Sequence, residues 1–169
     1  MLQDSKKLSP AKRSLIAHGL DQGASMRSLH GNNPFLDYGL GIASVAEIDE
    51  MGIQKASFLA MQRALDKLPT QRQTVIVDGK TVPPLSHRVL TFVKADAFLP
   101  AVQAAAVLAK VARDQMMDVW AKQFPGYGFE SHKGYGTADH LKALRQWGPT
   151  PLHRHSFRPV RECAQKHVA

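Results

Sequence analysis

The sequence predicts a single α/β domain spanning residues 1–169, and three observations carry that reading. Two short runs of β-forming residues, 74–77 (TVIV) and 89–93 (VLTFV), stand close together in mid-chain. Apolar residues at helical spacing precede them over 44–64 and follow them over 100–123. A hydrophobic content of 44% is enough to bury a core at this length.

The elements follow in order. Residues 1–13 (MLQDSKKLSPAKR) read as a basic loop running into a short helix, with Ser9 as N-cap and Pro10 at the first helical position. Gly19, Gly23, Gly31, Asn32, Asn33 and Pro34 predict a surface loop over 18–34. Residues 38–45 (YGLGIASV) predict a weak strand interrupted by Gly39 and Gly41. Ser44 and Glu47 have the spacing of a capping box, and Ile48, Met51, Ala56, Leu59 and Ala60 give the helix that follows its apolar stripe. The two strands are separated by a turn containing Pro83 and Pro84. On the long helix that starts at Pro100, the expected buried face is Ala101, Ala104, Ala105, Leu108, Ala112, Met116 and Val119. Residues 124–136 (FPGYGFESHKGYG) read as a flexible aromatic and basic loop. Thr137 caps a helix over 138–147, Gly148 ends it, and Pro159 starts a last one near 160–167.

Charge and cysteine content narrow the class. Lys plus Arg number 22 against 14 Asp plus Glu, giving a net charge of +8 spread along the chain. That distribution suits a polyanionic partner such as nucleic acid, although soluble proteins without one also carry it. The single cysteine, Cys163, cannot form an internal disulfide, and no CxxC pair offers a structural zinc site. Residues 1–30 hold neither a signal-peptide core nor a run long enough to cross a bilayer. A cytoplasmic monomer with no membrane association is the expectation.

Chemistry concentrates after the two strands. In IVDGK, Asp78 follows three apolar β-formers, where a buried strand reaches the carboxyl edge of an α/β sheet and ligands gather. Asp-Gly also begins ordinary turns. Asp96, in VKADAFLP, repeats the placement after the second strand, and two parallel neighbours would let both carboxylates meet one cation. Hard oxygen donors without His or Cys suit Mg²⁺ or Mn²⁺. Lys94, two residues before Asp96, is expected on the same side of the strand, within reach of a phosphate. Lys110 and Asp114 have the spacing of a helical ion pair. His132, Lys133 and Tyr135 combine a titratable ring, a cation and an aromatic face that can hold a sugar-phosphate backbone. Asp49 and Glu50 complement a helix N-terminus and are not expected to bind metal.

Taken in order, DSKKLS (4–9), EIDEMGIQKASFLAMQRAL (47–65), IVDGK (76–80), VKAD (93–96), AAAVLAKVARD (104–114), FPGYGFESHKGYGT (124–137) and HRHSFRPV (153–160) resemble bacterial ribonuclease HII. The resemblance implies a ribonuclease H-like fold and endonucleolytic cutting of the RNA strand in RNA–DNA hybrids, including at ribonucleotides embedded in DNA. It implies Mn²⁺ or Mg²⁺ held by four carboxylates, the third and fourth matching Asp78 and Asp96. Tyr135 matches a tyrosine that packs on the sugar beside the cleavage junction, and Ser5, Lys6, Lys110 and His132 fall in segments lining the substrate groove.

The family's first two acids and its ribose-reading Gly-Arg-Gly lie upstream of DSKKLS, which begins here at Asp4. The sheet is therefore expected to be N-terminally incomplete, with the first two strands missing and the activity of these residues alone lower by orders of magnitude. The alternative is a truncated relative that binds nucleic acid without cutting it. Gln103 and Ala106 stand where serines are usual, and Gly136 where proline is usual.

Overall fold

The computed structural model describes residues 8–30, 37–68 and 74–167, with only the backbone at 21–30, 166 and 167. The chain divides into two compact units, 1–42 with 58–111 and 43–57 with 112–169.

In the first unit, α1 (Pro10–His30) starts as expected: Ser9 Oγ accepts the Lys12 amide at 3.3 Å. It then continues to His30 through most of the region expected to be loop, of which residues 31–34 lie outside the described residues. Gly19 and Gly23 cost helix stability, about 1 kcal/mol each, but break no backbone ladder. No proline occurs between Pro10 and Pro34.

Residues 38–45 form no strand. Lys67 Nζ donates to the Leu40 carbonyl at 2.6 Å and Arg63 Nη1 to the Ile42 carbonyl at 2.7 Å, so side chains take bonds that a sheet neighbour would otherwise supply. Both donors belong to α3 (Ile53–Asp66) or its C-terminal edge. The glycines explain the close approach. A Cβ on Gly39 would stand 2.1 Å from the Ala64 carbonyl oxygen, and one on Gly41 would stand 1.8 Å from that of Ala60.

The helix expected from Ser44 is two helices. Ser44 caps α2 (Val45–Met51) with the expected box, accepting the Glu47 amide while its own amide donates to the Glu47 carboxylate at 2.8 Å. Gly52, at φ 81°, ends α2 before α3 begins.

Strands β1 (Thr74–Asp78) and β2 (Arg88–Phe92) pair in parallel, with Asp78 opposite Phe92. Val77 points to the buried side, while Ile76, Leu90 and Phe92 lie on the exposed one. The strand does not extend to Asp96. Lys94 adopts a left-handed conformation (φ 59°), and Ala95–Ala97 form a 3-10 turn. The alternation that placed Lys94 and Asp96 on one side of a strand therefore does not apply. Helix α4 (Pro100–Gln123) matches its expected span, but its buried positions are Gln103, Val107 and Met117, whereas Ala101 and Val119 are exposed.

The second unit is built around the glycine-rich segment read as flexible. Tyr127 and Phe129 are buried with Met117 and Ala143, and Phe129 opens the short helix α5 (Phe129–His132). Their rings stack at 5.4 Å, and the Tyr127 hydroxyl donates to the Gly148 carbonyl at 2.6 Å. Aromatic area made this segment a core despite its glycines. Thr137 caps α6 (Ala138–Trp147), Gly148 ends it, and α6 packs on α7 (Arg158–His167) through Leu144, Val160 and Cys163.

Asp49 has a structural task in this unit. Its carboxylate accepts the His155 amide at 2.7 Å, and the Ser156 amide and hydroxyl at 3.0 and 2.5 Å. Desolvation raises its pKa, but these bonds outweigh it and hold the carboxyl below its ordinary value. A depressed carboxylate stabilises the fold above its unfolded pKa and loses that contribution as pH falls through the folded one. Asp49→Ala is expected to cost about 1 kcal/mol at neutral pH. Urea unfolding at pH 7 and pH 3 checks this, since the gap between wild type and variant must narrow in acid.

Candidate metal and nucleic-acid sites

Asp78 sits at the carboxyl end of β1, and its position is fixed from the second strand's side. The Ala95 amide donates to Asp78 Oδ1 at 3.0 Å, and the Gly79 amide donates to the Phe92 carbonyl at 3.0 Å. Ala95 is fully buried and immediately precedes Asp96. One hydrogen bond thus ties the 3-10 turn carrying Asp96 to the carboxylate of Asp78. The left-handed Lys94 makes the corner, at a conformational cost typical of functional turns.

This donor set fits a hard divalent cation in kind. Asp78 is exposed with an oxygen beyond the one that Ala95 uses, and Asp96 is partly exposed. Among the described residues no group of three or more acidic, His or Cys side chains is arranged to hold a metal.

Lys110 lies on α4 in the first unit, half-buried. Ser5 and Lys6 lie outside the described residues. His132 and Tyr135 belong to the second unit, where Tyr135 is 59% exposed. The Arg113 guanidinium stands 6.0 Å from the centre of its ring and donates to the Lys133 carbonyl at 3.0 Å. Lys133 is left-handed (φ 50°), and its ammonium pairs with Asp118. Tyr135 is therefore an exposed aromatic face flanked by a cation.

Three histidines behind that tyrosine were not singled out as a group by sequence. His132 stacks on His140 at 4.3 Å, and His140 Nε2 lies 3.1 Å from His153 Nε2. Burial lowers the pKa of His140, and burial with the neighbouring His140 lowers that of His153 to about 4. The signal that could have found them is three histidines interleaved with aromatics between 127 and 153.

A family model described as Ribonuclease HII matches residues 1–160. Proteins named Ribonuclease HII are similar over 95% of this chain. That of Natranaerobius thermophilus is 42% identical over 76% of its own length, that of Shewanella halifaxensis 45% over 74%, and that of Rhodospirillum rubrum 47% over 69%. The crystal structure of the ribonuclease H2 from Pyrococcus horikoshii OT3 superposes with a TM-score of 0.71 at 23% identity. It covers 98% of this chain and 81% of that one, and it establishes the shared α/β fold. Among the described residues no helix is long and apolar enough to cross a membrane.

Proposed function

The chain belongs to the ribonuclease HII family, and from that premise we propose that it cuts the RNA strand of RNA–DNA hybrids and incises DNA at embedded ribonucleotides. The observation that carries the site assignment is the bond from the Ala95 amide to Asp78 Oδ1, which couples two carboxylate-bearing segments at one sheet edge. Asp78 and Asp96 would hold Mn²⁺ or Mg²⁺. In two-metal hydrolysis such ions activate the attacking water and stabilise charge on the leaving oxygen.

The remaining residues bind and orient. Tyr135 offers an exposed ring on which a sugar can pack, and Arg113 beside it adds positive charge against the phosphate backbone. By the family resemblance Lys110 would offer substrate a further donor, and the same expectation attaches to Ser5 and Lys6, which lie outside the described residues. His132 acts through the turn that it holds, because both of its ring nitrogens are engaged: Nε2 with the Tyr127 carbonyl at 2.7 Å and Nδ1 with the Gly134 amide at 3.2 Å.

The test compares an RNA–DNA hybrid, a DNA duplex with one ribonucleotide and an all-DNA duplex, each with Mn²⁺. Cleavage of the first two that chelation abolishes is expected. Equal cleavage of all-DNA duplex would overturn the substrate assignment.

A further inference from the structure

The hydrogen bonds behind Tyr135 have one direction. A backbone amide can only donate, so the Thr150 amide, 2.9 Å from His153 Nδ1, fixes that nitrogen as an acceptor. Thr150 Oγ1, at 2.8 Å, reaches the same nitrogen. Neutral His153 then carries its proton on Nε2 and donates to His140 Nε2. His140 in turn carries its proton on Nδ1 and donates to the Tyr135 carbonyl at 2.9 Å. The Tyr135 carbonyl also accepts the Thr137 amide at 2.8 Å, and the Tyr135 amide donates to the His132 carbonyl at 2.9 Å.

We propose that His140 and His153 are positioning residues for Tyr135: a relay from Thr150 through two neutral imidazoles holds the 132–137 turn and places the tyrosine ring for substrate. The relay tolerates no extra proton. A proton on His140 Nε2 would face the His153 N–H, and a proton on His153 Nδ1 would face the Thr150 amide, so either one opposes donor to donor. His140 and His153 are 8% and 6% exposed, which leaves little water to relieve such a conflict. The titratable groups around the relay are His132 stacked on His140, Tyr127 against His153, and His155 beyond it. All four ring nitrogens of His140 and His153 are taken by the partners named, none of them a carboxylate. The lowered pKa values of both rings agree with this. Acid is therefore expected to release Tyr135 before it unfolds the unit.

The inference rests on Tyr135 contacting substrate, and the experiment separates the two. Nitrogen-15 spectra of the imidazoles in the full chain should show His140 with its proton on Nδ1 and His153 with its proton on Nε2. The reverse tautomer at His140 would overturn the relay whatever Tyr135 does. Affinity for a duplex with one ribonucleotide is then measured between pH 7.5 and 4.5, toward the value of about 4 to which His153 is lowered. His140→Asn keeps a donor toward the Tyr135 carbonyl but cannot titrate, so it should bind within about threefold of wild type at pH 7.5 and keep only the smaller part of the acid-side decline that comes from His153. His140→Ala should weaken binding roughly tenfold, and add nothing in a Tyr135→Ala background. An equal loss from His140→Ala in both backgrounds, or a His140→Asn profile that still declines like wild type, would overturn the proposal. An unchanged affinity in Tyr135→Ala would instead overturn the substrate role of Tyr135, with the tautomers and the Tyr135 amide signal in His140→Ala still judging the relay. Thermal melts at each pH confirm that every variant compared is folded.

Discussion

Asp78→Asn is expected to lower Mn²⁺-dependent cleavage by about 100-fold or more while leaving the thermal unfolding midpoint within about 2 °C of wild type. The two effects separate because the substitution changes one thing at a time. An amide oxygen still accepts the Ala95 N–H that Asp78 Oδ1 receives at 3.0 Å, so the turn bearing Asp96 keeps its anchor. What is lost is one unit of negative charge and a hard anionic ligand. Asp78→Ala removes both, and should lose stability as well as activity. A fall in activity matched by a fall in stability in Asp78→Asn would mean that this residue holds the turn and does nothing more.

Gly41→Ala is expected to destabilise the chain by about 3 kcal/mol or more, or to prevent folding. The added methyl would stand 1.8 Å from the Ala60 carbonyl oxygen and 2.6 Å from the Ala64 amide nitrogen, both of them helix backbone that cannot rotate aside. Release of the segment would also free the Arg63 and Lys67 bonds to the Ile42 and Leu40 carbonyls. Gly19→Ala is the control. Nothing lies within 4 Å of a Cβ there and the residue is helical, so a gain of about 0.5–1 kcal/mol is expected. Differential scanning calorimetry on the two variants checks both signs at once. Equal behaviour would sink the packing account of residues 37–44.

These two residues show what the sequence disclosed and what it withheld. The place of Asp78 at the end of a strand was legible because a run of β-forming residues, TVIV, leads directly into it. The capping residues were legible for a similar local reason: Ser9, Ser44 and Thr137 each accept an amide three residues on. Gly39 and Gly41 misled because periodicity records that a segment lacks side chains and is silent on what approaches it. The same local view took Gly19 and Gly23 as loop markers, although a helix absorbs isolated glycines at modest cost. Lys94 failed differently. Its left-handed backbone is rare for a non-glycine residue, and only the tie between Ala95 and Asp78 shows why the chain turns there.

The histidine relay was the least visible part. His140 and His153 are 13 residues apart, on a helix and a following turn, and their bond depends on α6 ending at Gly148. Eight histidines without a cysteine pair argued against zinc, and that argument exhausted what composition offers. The structure supplies the other use of a buried histidine, a neutral ring that is donor on one edge and acceptor on the other. Because the folded pKa of His153 is lowered to about 4, the unfolded state takes up protons first as pH falls below the ordinary 6.5. Stability is thus expected to decline between those values, by roughly 2–3 kcal/mol. In His153→Gln the slope of urea stability over this range should flatten.

The central claim is that Asp78 and Asp96 act together on a divalent cation that serves nucleic-acid cleavage. Mn²⁺ titration followed by electron paramagnetic resonance, with an uncleavable RNA–DNA hybrid present, tests it most directly. Asp78→Asn and Asp96→Asn should each weaken Mn²⁺ binding about tenfold or more, and the double variant should lose little beyond either single one. Mn²⁺ affinity unchanged in both single variants would contradict the account.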